Sequence, residues 1–120
     1  MLLVLLAAGL SRCALPALCP TDAELIAAIA ERNNLDAVAL ELALGDQDPG
    51  SDHMVWRERV LGVDQVHCGA LPNRPQELNC SFTVRYHDKI VFQVAKLSHD
   101  EGRWTIENAL SVTRYRRGTR

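Results

Sequence analysis

The chain has 120 residues, a mass of 13.3 kDa and a formal net charge of -2; 48% of its residues are hydrophobic, 23% charged and 5% aromatic. That is enough for one compact domain and too little for two. The apolar fraction is too high and the net charge too small for a disordered chain. No long Gly- or Pro-rich tract points to a collagen-like or linker sequence.

Leu2 to Leu10 reads LLVLLAAGL. It has the length of an export-signal core; a membrane span needs about 20 apolar residues. Arg12 interrupts the run, and Pro16 and Pro20 follow. With Ala17 as the last residue removed, the expected division is a signal over 1–17, a domain over 18–113 and a basic tail over 114–120. Two features depart from the usual signal: no Lys or Arg precedes the apolar run, and Leu15 is larger than a signal peptidase prefers. The alternatives are a short buried N-terminal element and a single-pass anchor. Leu10-Ser11-Arg12-Cys13 resembles the lipoprotein pattern, with Arg12 where a small residue belongs. Cys13 and Cys19 are therefore the candidates for lipidation.

Four cysteines occur, Cys13, Cys19, Cys68 and Cys80, and no two form a CxxC pair. Thioredoxin-like and zinc-ribbon readings fall away. Cys68 and Cys80 lie on neighbouring expected strands and would join in an oxidising compartment; the alternative is two reduced core thiols. Cys13 would leave with the signal. Cys19 is then the odd one, free, lipidated or paired with another chain.

The folded part starts at Thr21. Thr21-Asp22-Ala23-Glu24 is a capping box. Leu25, Ile26 and Ile29, with Ala23 and Ala30, make an apolar stripe at helical spacing. A helix over 22–33 is expected, stopped by Asn33-Asn34. Residues 35–44 alternate as a strand would at Val38, Leu40, Leu42 and Leu44, yet Ala, Leu and Glu dominate. The reading is a short second helix, with a strand as the alternative. Residues 45–53, GDQDPGSDH, read as a loop.

The second half reads as strands. Val60 to Cys68 is the first, with Gly62 hinting at a bulge. A loop over 69–76 follows. Leu78, Cys80, Phe82, Val84 and Tyr86 then alternate with polar residues, the mark of a half-buried antiparallel strand. His87-Asp88 turns the chain, and Ile90, Phe92 and Val94 are expected to continue the apolar face. Residues 99–102 turn it again, and Trp104, Ile106, Leu110 and Val112 line the last strand. The expected fold class is α+β: an N-terminal helix and a short second helix on a four-stranded antiparallel meander.

This order, the ending Gly102-Arg103-Trp104-Thr105-Ile106 and the Cys68/Cys80 pair resemble small exported bacterial proteins of cystatin-like helix-on-sheet shape. The resemblance covers about residues 21–113. It implies a fold and little about function. Cystatins inhibit cysteine proteases through Gln-x-Val-x-Gly. The nearest stretch, Gln65-Val66-His67-Cys68-Gly69, has His67 in place of Val, so protease inhibition is not expected.

No motif carries catalysis. Asp46, Asp48 and Asp52 suggest a calcium loop, but positions 5, 6 and 12 counted from Asp46 are Gly50, Ser51 and Arg57, so the EF-hand pattern fails. The histidines, His53, His67, His87 and His99, lie too far apart for a zinc motif. No GxSxG or Gly-rich phosphate loop occurs. No enzyme, metal or cofactor is expected. The tail Arg114-Tyr115-Arg116-Arg117-Gly118-Thr119-Arg120 carries four positive charges, leaving nine basic against fifteen acidic residues, a net -6, in the rest. Such an arm suits anionic lipid headgroups, while export argues against nucleic acid; the plain alternative is a frayed, solubilising end. Asn79-Cys80-Ser81 fits a glycosylation sequon that a strand would hide. Trp56 is a core anchor or a partner contact.

The expected role is that of a non-catalytic binding or interaction protein, periplasmic or secreted, whose partner is an unknown protein or small ligand. The surface to look at is the polar sheet face, Thr83, Arg85, Gln93, Thr105 and Glu107, with the 69–76 loop. One competing reading is a small-ligand binder with a pocket between helix and sheet lined by Phe82, Phe92 and Trp104. Another is an intracellular protein whose apolar N-terminus packs into the fold.

Overall fold

The computed structural model describes Cys13 and residues 18–47, 58–71 and 73–116. The rest of the expected signal, Asp48, Asp52, His53, Trp56 and residues 117–120 lie outside the described residues. One helix, α1 (Asp22–Gln47), precedes four strands: β1 (Gly62–Leu71), β2 (Arg74–Arg85), β3 (Lys89–Asp100) and β4 (Arg103–Tyr115). The strands form one antiparallel sheet in the order β1-β2-β3-β4. The helix packs on one face, which gives the α+β class expected from the pattern.

α1 begins at the expected capping box. The Thr21 amide donates to Glu24 Oε1 at 2.8 Å, and the Glu24 amide donates to Thr21 Oγ1 at 3.1 Å. Two donors orphaned by the helix start are thereby satisfied. The helix then runs for 26 residues, through Asn33-Asn34 and through Gly45. A single element therefore replaces the two expected helices, and the first three residues of the expected loop are helical. Asn costs a helix interior only about 0.7 kcal/mol, and no proline interrupts the run. Asn33 is also anchored, its Nδ2 donating to Tyr86 Oη at 2.9 Å.

Leu25, Ala28 and Ile29 bury their side chains against the sheet. They meet Val63, Val66, Leu78, Phe82, Val84, Leu97, Trp104 and Ile106 in one core. Leu35, Val38, Leu40 and Leu42 in the second half of the helix are exposed. The core therefore sits under the first turns of α1.

Two disulfides close on this core. Cys68 and Cys80 are direct cross-strand partners, Cα–Cα 4.1 Å, and both are buried. Cys13 is bonded to Cys19 and makes a parallel bridge to Cys68. The odd cysteine of the sequence reading is thus paired within the chain, and both candidate lipidation sulfurs, Cys13 and Cys19, are engaged in that bond.

Turn chemistry sets the strand faces, and here the structure differs from the sequence reading. Leu71 pairs with Arg74, so a tight turn with Asn73 at φ 64° replaces most of the expected 69–76 loop. The Tyr86 amide donates to the Lys89 carbonyl at 3.0 Å around a two-residue His87–Asp88 turn. That turn pairs even-numbered β2 residues with odd-numbered β3 residues: Val84 with Val91, Phe82 with Gln93, Cys80 with Ala95. Val91, Ala95 and Leu97 therefore point to the helix, and Ile90, Phe92 and Val94 point away from it, because a shift of one residue reverses every side chain. In β4 a bulge does the same. Trp104 and Ile106 are buried, the register slips between Lys96 and Leu97, and Leu110 and Val112 emerge on the outer face. At the other turn Glu101 and Gly102 have φ 53° and 76°, the left-handed pair that a tight hairpin with right-twisted strands demands.

Candidate functional site

Where β2 turns into β3 and β4 ends, three strands converge on a hollow of about 570 Å³. Backbone bonds fix its rim. The Leu61 amide donates to the Arg85 carbonyl at 2.8 Å, and the Arg116 amide donates to the Asp88 carbonyl at 2.8 Å. The lining mixes aromatic and aliphatic groups (Leu61, Tyr86, Ile90, Tyr115) with Arg85, His87, Lys89, Arg114 and Arg116. The chain is acidic overall, yet four of its thirteen Lys and Arg residues line this hollow.

Each cation is held differently. Arg85 Nε donates to Asp64 Oδ2 at 2.7 Å. Its guanidinium lies over Gly62, in space that a Cβ there would occupy. Lys89 Nζ meets Glu58 Oε1 at 2.5 Å and lies 5.1 Å from the Tyr86 ring centroid and 6.0 Å from that of Tyr115. The hydrogen bond to Glu58 outweighs burial and raises the Lys89 pKa above the ordinary lysine value, so the ammonium stays charged. Arg114 and Arg116 make no ion pair with a described residue. Two cations are thus fixed by carboxylates, and two have no carboxylate partner among the described residues.

The hollow opens onto an apolar stripe. Arg85, Ile90 and Arg114 lie in one registered row across β2, β3 and β4. The next rows on the outer face are Thr83, Phe92 and Val112, then Ser81, Val94 and Leu110. Leu110 is 79% exposed, Val112 69% and Phe92 45%. A contiguous exposed apolar patch of this kind commonly marks an interaction surface.

The five surface residues expected from sequence do not form one face. Thr83 and Arg85 lie at the hollow end of the outer face, with Thr83 Oγ1 3.4 Å from Gln65 Oε1. Glu107 lies towards the far end, where it accepts from the Ser98 hydroxyl and pairs with Lys96 Nζ at 3.2 Å. Those bonds hold the Glu107 carboxyl below the ordinary range, the Ser98 bond foremost. Thr105 pairs with Ser98. Gln93 is on the opposite side, facing α1, because its strand partner is the buried Phe82. It lines a small polar hollow of about 150 Å³ with Arg32, Asn33, Asp36 and Ser111.

Phe82 is fully buried, whereas Phe92 is on the outer face, so these two and Trp104 cannot line one pocket. Gln65-Val66-His67-Cys68-Gly69 lies inside β1, not at a hairpin tip. Among the described residues no three His, Cys, Asp or Glu side chains cluster as metal ligands. No helix among them is long and apolar enough to cross a membrane.

Sequence reasoning missed the stripe and two of the five basic groups at the hollow, His87 and Lys89, in that role. The signal was present: a two-residue turn makes Tyr86 and Lys89 partners, which forces Ile90, Phe92 and Val94 outward. Compared with protein-family models, curated proteins and solved structures, the chain matches none.

Proposed function

We propose that the chain is a small exported, non-catalytic binding module of the bacterial cell envelope, cystatin-like in shape, and that it takes an amphiphilic anion. The observation that carries this reading is the continuity of the cationic hollow with the apolar stripe. A carboxylate or phosphate head would meet Arg114 and Arg116, and its apolar body would run from Ile90 along Phe92 and Val112. The Cys68–Cys80 disulfide, within the expected mature domain, supports export, since such bonds persist in oxidising compartments, whereas the Cys13–Cys19 bond requires that Cys13 stay with the chain and so opposes removal at Ala17. The hollow between helix and sheet is smaller and polar, which favours the outer site over the enclosed pocket.

The test is calorimetric titration with laurate below its micelle concentration, with inorganic phosphate and acetate as headgroup controls and anionic vesicles as a separate arm. Laurate is expected to bind and the small anions to bind far more weakly. R114E/R116E should weaken laurate at least about tenfold, the loss of charge-assisted hydrogen bonds. Binding to vesicles and not to dispersed laurate would assign the site to a lipid surface. No binding in either arm sinks the proposal.

A further inference from the structure

β4 is an edge strand of 13 residues. It pairs with β3 on one side and with no described strand on the other. Natural edges are usually guarded by charge, proline, bulges or brevity. The segment 108–113, Asn-Ala-Leu-Ser-Val-Thr, has no charge and no proline. Its bulge lies before it, at Glu107, so the segment itself pairs regularly with β3. All six of its residues are exposed.

The segment is also complementary to itself. Antiparallel pairing of two copies about a two-fold axis at Ser111 keeps each side chain on its own face, as an isologous contact requires. Leu110 then faces Val112 of the second copy, twice. These pairs join the Phe92, Val94, Leu110 and Val112 blocks of both copies into one apolar surface. Asn108 then faces Arg114 of the second copy, also twice, with Glu107 at the neighbouring bulge position, so opposite charges flank both ends of a neutral strand. We infer that β4 pairs with β4 of a second copy of this chain, making a continuous eight-stranded sheet with a cationic hollow on each half. The inference rests on the open edge and its self-complementarity, and stands whether or not the hollow takes an amphiphile.

The test is sedimentation velocity on the oxidised full chain, from low to high micromolar, without ligand. A concentration-dependent shift from monomer to dimer mass is expected. Leu110→Lys, at an exposed position that should fold normally by circular dichroism, should raise the dimer dissociation constant at least about tenfold, because it puts two cations into the seam. Ser111→Cys adds a second readout. Two such thiols face each other at the axis and should cross-link under mild oxidation, while Thr113→Cys, about four residues out of register with its own copy, should not. A monomer at every concentration overturns the inference. So does a dimer that Leu110→Lys leaves intact and Ser111→Cys does not cross-link.

Discussion

At one edge of the sheet, β1 is interrupted by a bulge between Asp64 and His67, with Gln65 at φ 53°, and is joined to β2 by the Cys68–Cys80 bond. The bridge from Cys13 lies against that strand at Cys68, held there by a second disulfide. At the other edge, the last nine residues of β4 are all exposed and carry no such device after Glu107. The covered edge shares the buried core with the first turns of α1. The open edge carries the apolar stripe and the loose cations. On the proposed reading, stability rests on the helix-facing side of the sheet, which includes Trp104 and Ile106 of β4, and recognition on the outer side, where a surface freed from the core can expose leucine and valine without loosening the fold.

The two phenylalanines offer the strongest way to break this comparison. Phe82 is 0% exposed at the centre of the core, whereas Phe92 is one strand away on the outer face. Phe82→Ala should cost about 3–5 kcal/mol, the transfer and cavity terms of a buried ring. Phe92→Ala should cost less than about 1 kcal/mol, as surface changes do. Chemical denaturation of both variants measures the difference. Equal losses would mean that the outer face is packed and that the division proposed for the sheet is wrong.

The next effect belongs to the covered edge. Replacing Cys68 and Cys80 together by Ala should cost about 2–4 kcal/mol, chiefly through freedom regained by the unfolded chain. Denaturation midpoints of variant and wild-type chains, both unreduced, would check it. Thr21→Ala removes one arm of the capping box and should cost about 1 kcal/mol. Its value sharpens the comparison because α1 covers the core side alone. It should lower the melting temperature and leave any binding at the hollow unchanged.

How far the sequence carried the fold can be followed residue by residue. The Thr21–Glu24 cap, the β2 alternation from Leu78 to Tyr86, the Cys68–Cys80 pair and the α+β class were all legible, because each is encoded within a few residues or by a period of two. The outward turn of Ile90, Phe92 and Val94 was not, because apolarity was read as burial. Only the pairing of Tyr86 with Lys89 reveals that their parity is wrong for the core. The reversal in β4 depends on a bulge at Glu107 for which no Gly or Pro gives warning. The continuation of α1 through Asn33 is accompanied by a contact with Tyr86, 53 positions away, which no local pattern announces. The hollow was illegible for the same reason: Arg85, Lys89 and Arg114 come from three strands and become neighbours only through register.

The smallest expected effect separates the two ends of the outer face by pH. At the hollow, Lys89 and Glu58 are mostly shielded, with side chains 22% and 26% exposed; at the far end Glu107 is 40% exposed. The folded-state pKa of Lys89 is raised, so its pairing stabilises the fold fully below the ordinary lysine pKa, and that contribution is lost as pH rises through the folded value. Glu107 behaves oppositely. Its depressed pKa stabilises above the ordinary carboxylate range, and the contribution is lost as pH falls through the folded value. Solvent screens Glu107 strongly, so its effect should be the weaker of the two, each within about 1 kcal/mol. Melting temperature against pH should therefore fall less steeply on the alkaline limb in Lys89→Met than in the wild type. Glu107→Gln should flatten only the acid limb, by a smaller amount. A Lys89→Met profile parallel to the wild type on the alkaline side would remove the Glu58 contact as a fixed feature of the hollow. It would leave Lys89 as a third cation free to meet an anion there.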